Sequence, residues 1–274
     1  MQILLAITAV CYALATFFRV REKVAGNFMK NHSRISIIAG IFTNSILLFM
    51  QAQQTLNTAQ LGLNSFLITG ALSLALCTIA IELVFRENYF SIFSLPVCLA
   101  ALLLSMLVSG KIAGEHFSET WFIVHLITSI AGESFFMIAA ISSATYLFVV
   151  RKLKSKNKLK AVFMFPPLTR LNDLTYKLIK AGILVFFIGL ALGLHGNYRY
   201  FNEFQPAAKH YFAGLVLFYY FAVALLRKPL KLAGPRLAIA AIIGFILSLI
   251  LVFVPNNDLH WLHETKTINR EVTQ

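Results

Sequence analysis

The chain has 274 residues, of which 58% are hydrophobic and 13% charged, and its mean hydropathy is +0.75. Soluble domains carry about a quarter charged residues, so this composition excludes a soluble enzyme, which could not cover itself with a polar surface. The net charge of +13 comes from Lys and Arg in short connections between apolar runs; that pattern encodes membrane topology rather than a basic face for nucleic acid.

Crossing about 30 Å of hydrocarbon at about 1.5 Å per residue takes roughly 20 mostly apolar residues. Runs of that kind fall near 2–18, 35–52, 64–85, 89–109, 120–150, 178–195, 211–227 and 236–254. The expected fold is therefore all-α, a polytopic membrane helix bundle of about eight spans, with residues 1–274 forming one integral membrane domain. No Lys or Arg precedes the first run, whereas Arg19, Arg21 and Lys23 follow it. A signal peptide has its basic residues ahead of the apolar stretch, so the first run reads as a retained span with its N-terminus outside.

The basic residues give the orientation. The connections 19–34, 151–177 and 227–236, with Arg86, hold 18 Lys and Arg, against five on the opposite side: Lys111, Arg199, Lys209, Lys266 and Arg270. The richer side is expected to be cytoplasmic, which places both termini outside. The 151–177 connection opens RKLKSKNKLK and continues AVFMFPPLTRL, which reads as a topology determinant with a short interfacial segment. Cys11, Cys77 and Cys98 each stand alone in an apolar run, with no C-x-x-C pair and no C-x-x-C-H, and read as packing residues.

The fifth run reads WFIVHLITSIAGESFFMIAAISSATYLFVV. At about 100° per residue His125, Ser129, Gly132, Phe136 and Ser143 share one stripe, of the small and polar kind that suits helix contact in lipid. His125 lies about one turn from Trp121 at the outer boundary. Two roles are open for it: a hydrogen bond to a neighbouring helix, or axial ligation of a haem iron. Glu133 lies about 12 Å deeper, where an ionisable side chain is a functional candidate by default and a neutral, hydrogen-bonded carboxyl is the structural alternative. Glu82 sits near the cytoplasmic end of the third run, with Arg86 at i+4 as a partner.

The outer loop 195–210, HGNYRYFNEFQPAAKH, is dense in Tyr and Phe. Such residues suit any membrane interface and also suit a flat apolar shelf. The tail carries His260 and His263 around Trp261; an H-x-x-H pair with no third ligand nearby is a weak metal signal. Six of the seven histidines (His116, His125, His195, His210, His260 and His263) fall on the outer side, and only His32 on the cytoplasmic one.

Three stretches carry a resemblance. WFIVHLITSIAGESFFMIAAISSATYLFVVRKLK looks like a helix that opens on an outer histidine and ends in a basic loop. FPPLTRLNDLTYKLIKAGILVFFIGLALGLHGN looks like the Pro-Pro-Leu segment and helix that follow it. LRKPLKLAGPRLAIAAIIGFILSLILVFVPNNDLH looks like a basic loop, a last span and an outer histidine. In this order they resemble the cytochrome c assembly membrane proteins, the CcsA/CcmC/HemX-like superfamily, and most of all its compact eight-span HemX/YpjD-like branch. The resemblance covers essentially the whole chain.

It implies a haem-handling site on the outer face, with His125 and His260 as axial ligands to a non-covalent haem b. His263 is an alternative to His260, and Trp121 and Trp261 are candidate covers for the porphyrin. It further implies a multi-pass protein of a bacterial-type inner (plasma) membrane, contacting lipid, haem and other cytochrome assembly proteins. No nucleophile–base pair, phosphate loop or complete metal set appears in the sequence, so no catalysis is expected, and the placement of Lys and Arg leaves no nucleic-acid partner. The chain lacks the cytoplasm-facing histidines of some members, and in the loop between the two outer histidines it departs from haem-delivering members. They carry a W-G-x-x-W-x-W-D signature where this sequence reads NYRYFNEFQPAAKHYF, keeping Pro206 and placing Gln205 at the Asp position; the departure bears on haem delivery first and on haem binding less. Two other functions stay open: a regulator or membrane partner affecting tetrapyrrole synthesis without carrying haem, and a small proton-coupled transporter using Glu133 and Glu82.

The Lys and Arg distribution makes a direct prediction. Topology reporters fused at Lys156 and at the C-terminus are expected to report opposite sides of the membrane. Two cytoplasmic signals would reverse the assignment of the loops.

Overall fold

A computed structural model describes residues 2–25, 28–58, 61–85, 89–108, 111–113, 120–154, 165–201, 208–229 and 232–253. Eight α-helices occupy them: α1 Gln2–Ala25, α2 Phe28–Thr58, α3 Leu63–Phe85, α4 Phe90–Leu107, α5 Thr120–Lys154, α6 Leu168–Phe201, α7 Ala208–Leu226 and α8 Pro235–Phe253. Two short strands, β1 Leu61–Gly62 and β2 Lys111–Ala113, pair antiparallel, Leu61 opposite Ala113 and Gly62 opposite Lys111. Seven helices are long and apolar enough to cross a membrane, and α8 is apolar but shorter over its described part, Pro235–Leu251. At about 1.5 Å per residue the 19 residues of α8 still reach about 28 Å. The chain is a polytopic membrane helix bundle.

The side chains are arranged for lipid. On α1 the outward stripe is Ile3, Ile7, Val10, Leu14 and Phe17, all exposed, at the i, i+4, i+7 spacing of one helix face. On α7 the exposed face includes Tyr211, Leu215, Phe218 and Leu225. The buried faces are rich in small and hydroxyl residues, among them Ser91, Ser94, Ser105, Ser134, Ser142, Ser143 and Thr175. With lipid tails as apolar as Leu, helices gain by close approach and by hydrogen bonds between them, not by hiding hydrocarbon.

Sequential helices run in opposite directions. Tyr12 of α1 meets Gly40 and Asn44 of α2, while Phe18 meets His32. Thr78 of α3 bonds Ser94 of α4, and Cys98 bonds Ala71. The β1–β2 pairing brings the α2–α3 and α4–α5 connections to one end. At the other end Asn172 of α6 accepts from the Gly234 N–H at the start of α8 (2.8 Å). Eight alternating helices therefore begin and finish at the same end of the bundle, as the charge distribution anticipates.

Two expectations need correction. The basic connection 151–177 is not a loop throughout: α5 continues to Lys154 and α6 starts at Leu168. The Pro-Pro pair explains the start, because Pro167 lacks an N–H and offers its carbonyl to the Leu171 N–H (3.1 Å). The outer loop is likewise shorter than 195–210, since α6 runs to Phe201 and α7 begins at Ala208. In both places polar helix ends project past the apolar run, where water replaces lipid.

At the end of the bundle where α1 finishes, the first half is held by charge. Arg19 of α1, 2% exposed, donates from Nη2 to Glu82 Oε2 on α3 (2.7 Å) and from Nη1 to Glu22 Oε2 (2.9 Å). Glu82 Oε1 accepts the backbone N–H of Ser91 in the first turn of α4 (3.2 Å), filling one of the N–H groups that a helix start leaves open. One carboxylate thus joins α1, α3 and α4. Glu82 is partnered by Arg19, from another helix; the i+4 neighbour the sequence suggested, Arg86, lies outside the described residues.

Glu82→Ala is expected to destabilise the bundle by about 3–5 kcal/mol, because it leaves a buried guanidinium without its principal partner. Glu22→Ala, at a more exposed position, is expected to cost less. Thermal unfolding followed by size-exclusion chromatography in detergent checks both, and equal tolerance of the two changes would contradict the assignment.

Candidate functional site

α5 makes its most extensive contact with α6 and also packs on α3, α4 and α8, so its inner stripe lies at the centre of the molecule. The stripe that includes His125, Ser129, Gly132, Phe136 and Ser143 is the face turned to α6. Ser143 Oγ lies 3.5 Å from Thr175 Oγ1, and Thr175 donates to Ser142 Oγ (3.0 Å). Phe136 packs over Gly182. Gly132 lies against the backbone of Phe186, Ser129 against Gly189, and His125 against Gly193. Each step of three or four residues along α5 is matched by an equal step back along α6, the antiparallel form of knobs-into-holes packing.

Glycine makes the approach possible. A Cβ at Gly132 would stand 2.8 Å from the Phe186 backbone N, one at Gly189 2.6 Å from Ser129 Oγ, and one at Gly193 2.6 Å from His125 Cε1. Gly196 and Gly214, by contrast, have nothing within 4 Å of such an atom. Gly189-x-x-x-Gly193 is a small-x-x-x-small motif inside an apolar helix. The sequence reading missed these glycines as part of the site; the signal was present in that spacing and in its complementarity to the α5 stripe.

His125, half-buried in α5, places Nδ1 2.6 Å from the Gly189 carbonyl oxygen. At that distance Nδ1 carries the proton and donates it, so Nε2 is the basic nitrogen of the ring. Ser129 Oγ, one turn on, lies 3.3 Å from the same Nδ1. The Nδ1–Cε1–Nε2 edge of the ring lies against Gly193. Donor to a backbone carbonyl through one nitrogen, basic at the other: this is the state in which metal-ligating histidines are held.

Below this histidine lies an aromatic layer. Phe136 of α5 stacks on Tyr220 of α7 with ring centroids 3.8 Å apart and planes 9° from parallel, and Phe186 of α6 is 5.8 Å from Phe136. Tyr220 donates to the Ala241 carbonyl of α8 (3.4 Å) over Gly244, which has no side chain to obstruct the rings. Glu133, half-buried, lies within electrostatic range of Tyr220 and makes no hydrogen bond among the described residues.

Of the other site residues read from the sequence, Trp121 falls in the first turn of α5. His260, Trp261 and His263 lie outside the described residues. His195 is exposed on α6 and His210 half-buried in the first turn of α7. Among the described residues no group of three His, Cys, Asp or Glu side chains stands together to hold a metal ion.

At the opposite end, two of the stretches quoted above meet. Asn172, from FPPLTRLND, accepts the N–H of Gly234, from KLAGPR, and Asp173 pairs with Arg227 at 3.1 Å. Arg227 also lies 3.9 Å over the Tyr176 ring. Gly234 has φ +62° and offers its carbonyl to the Ala238 N–H, while Pro235 opens α8. A left-handed residue followed by Pro at the first helical position suits this sharp start.

Fold and site together define a polytopic helical membrane protein in which two closely packed central helices hold one oriented histidine near their end. The family described as "Cytochrome C assembly protein" matches residues 2–262, and the chain belongs to that family. Its function accordingly lies in cytochrome c assembly, a process associated with haem handling. Neither curated proteins nor solved structures gave a match to the chain.

Gly193→Ala is expected to cost about 1–3 kcal/mol through overpacking against His125. Gly196→Ala, three residues away in the same helix, is expected to be neutral or to stabilise by up to about 1 kcal/mol, the gain in helix propensity. Paired thermal melts test the contrast, and equal effects would deny that the His125 ring rests on Gly193.

Proposed function

We propose that the protein is a non-catalytic, haem-handling member of the family, closest to its compact HemX-like branch, in a bacterial-type inner membrane. His125 is one axial ligand to a b-type haem near the outer face, and His260 is the other. The observation that carries this reading is the 2.6 Å contact between Nδ1 of His125 and the Gly189 carbonyl. A histidine anchored in this way is held in the tautomer whose Nε2 can face a metal. The remaining roles follow from the chain's own residues. Gly193 makes room for the ring, and Gly189 orients it. Trp121, Trp261 and the Tyr- and Phe-rich stretch around 195–212 supply apolar cover. Haem, when bound, supplies an iron centre that accepts two neutral imidazoles. His263 remains the alternative second ligand, three residues beyond His260. Partners on this reading are membrane lipid and other cytochrome assembly proteins.

A second reading is supported by one observation. The loop NYRYFNEFQPAAKHYF has no Trp and no Asp where haem-delivering members carry their signature. On that reading the protein regulates or scaffolds tetrapyrrole or cytochrome assembly without carrying haem. The transporter alternative has less support, because Glu82 is committed to Arg19 and to the Ser91 N–H.

The test is an absorption spectrum of the detergent-solubilised protein, with and without added haem. Two histidine ligands give a low-spin haem with a sharp Soret band and resolved α and β bands on reduction. His125→Ala and His260→Ala are each expected to weaken or abolish that spectrum, and His32→Ala, at the opposite end of the bundle, to leave it intact. A stably folded wild-type protein that takes up no added haem would defeat this reading and favour the regulatory one.

A further inference from the structure

The end of the bundle opposite His125 carries a cleft that the haem reading does not use. It has a volume of about 180 Å³ and lies where α1, α2 and α3 meet, with Arg19, Arg34 and Glu82 on its polar side. Its other walls are aliphatic: Ile37 and Ile38 from α2, Ile79 and Leu83 from α3. All three charged residues sit within about a turn of the end of their span, so the cleft lies at the depth of lipid headgroups. Ile38 and Leu83, 61% and 69% exposed, flank it on the faces that meet lipid.

The polar side is incompletely satisfied. Both Glu82 oxygens are occupied, by Arg19 and by the Ser91 N–H, and Glu22 is taken by Arg19 as well. The Nε–H of Arg19 is buried and has no hydrogen-bond partner among the described residues. Arg34 is exposed and forms no ion pair among the described residues. An exposed guanidinium beside aliphatic walls matches an anionic oxygen group that carries alkyl chains.

We propose that this cleft binds the phosphate of an anionic phospholipid, with Arg34 as the principal cation and the first acyl methylenes against Ile38 and Leu83. The site is smaller than the ~300–1,000 Å³ of pockets that enclose a whole drug-sized ligand, as suits a headgroup whose chains continue into the bilayer. The Lys and Arg distribution puts this end in the cytoplasmic leaflet, and basic pockets between helices on that side are places where anionic headgroups dock. Holding a lipid between α2 and α3 brings a hydrocarbon filler and a counterion to the end where Arg19 is buried.

The proposal is tested by native mass spectrometry of the full-length protein in detergent, titrated with phosphatidylglycerol or with phosphatidylcholine of the same chains. The wild type is expected to retain phosphatidylglycerol in preference. Arg34→Gln should lower that retention roughly fivefold, corresponding to the ~1 kcal/mol that one basic residue contributes near an anionic headgroup. Arg236→Gln, at the start of α8, should leave it unchanged. Ile38→Trp, which fills the cleft without altering charge, should also remove the adduct while the melting temperature stays near wild type. Inorganic phosphate in excess should not displace the lipid, since it lacks the chains; displacement would show a free-anion site and overturn the proposal. Equal retention of the two lipids, or full retention by Arg34→Gln, would overturn it too.

Discussion

The antiparallel contact between α5 and α6 is the constraint on which the remainder of the structure depends. In lipid, two helices gain nothing by covering hydrocarbon, so contact at this closeness must come from dispersion and from hydrogen bonds between backbones brought near each other. Gly132, Gly189 and Gly193 permit that approach, and the hydroxyls of Ser142, Ser143 and Thr175 bond across the interface nearer its inner end. α3, α4 and α8 pack on the other faces of α5. His125 is thus a member of the interface itself, placed by the same periodicity that packs Phe136 over Gly182 and brings Ser143 to Thr175.

Much of this was legible in the sequence, and the reasons for what was not are physical. Apolar runs and Lys/Arg bias gave the helix bundle because each depends only on local composition. The α5 stripe was readable because helical periodicity assigns residues to faces without reference to a partner. Which helix that stripe meets was not, since Gly182, Gly189 and Gly193 look like ordinary glycines of a membrane span until they are set opposite it. Glu82 shows the same limit: the sequence offers Arg86 at i+4, whereas Arg19 lies 63 positions away and becomes a neighbour only when α1 packs on α4 beside α3. Helix ends were underestimated because hydropathy marks where lipid stops, while the hydrogen-bonded backbone of α5 and α6 continues into water. His260, Trp261 and His263 fall outside the described residues.

The two roles that the sequence left open for His125, helix bonding and iron ligation, make compatible demands. An imidazole that donates through Nδ1 to a carbonyl on the next helix is oriented by that bond and keeps its basic nitrogen on the far side of the ring. Had Nδ1 met a donor, the proton would sit on Nε2 and the ring could not act as a neutral ligand there. The packing contact and the chemical role therefore select the same tautomer.

Orientation at one end is also tied to anchoring at the other. Asn172 fastens α6 to the start of α8 through Gly234, and Asp173 holds Arg227, at the end opposite His125. Between these anchors and His125 the α5–α6 register passes through Ser143, Phe136, Gly132 and Ser129, each opposed by a residue of matching size. A slip of one residue in either helix would rotate its stripe by about 100°, setting the Phe136 ring against a side chain instead of Gly182 and carrying Gly193 away from the imidazole. Such a slip cannot be absorbed locally, because Phe136 and His125 each lie against a glycine with no room for a side chain. The interface therefore relates the anchors at one end to the direction in which the imidazole at the other end points, even though none of the anchoring residues lies near it.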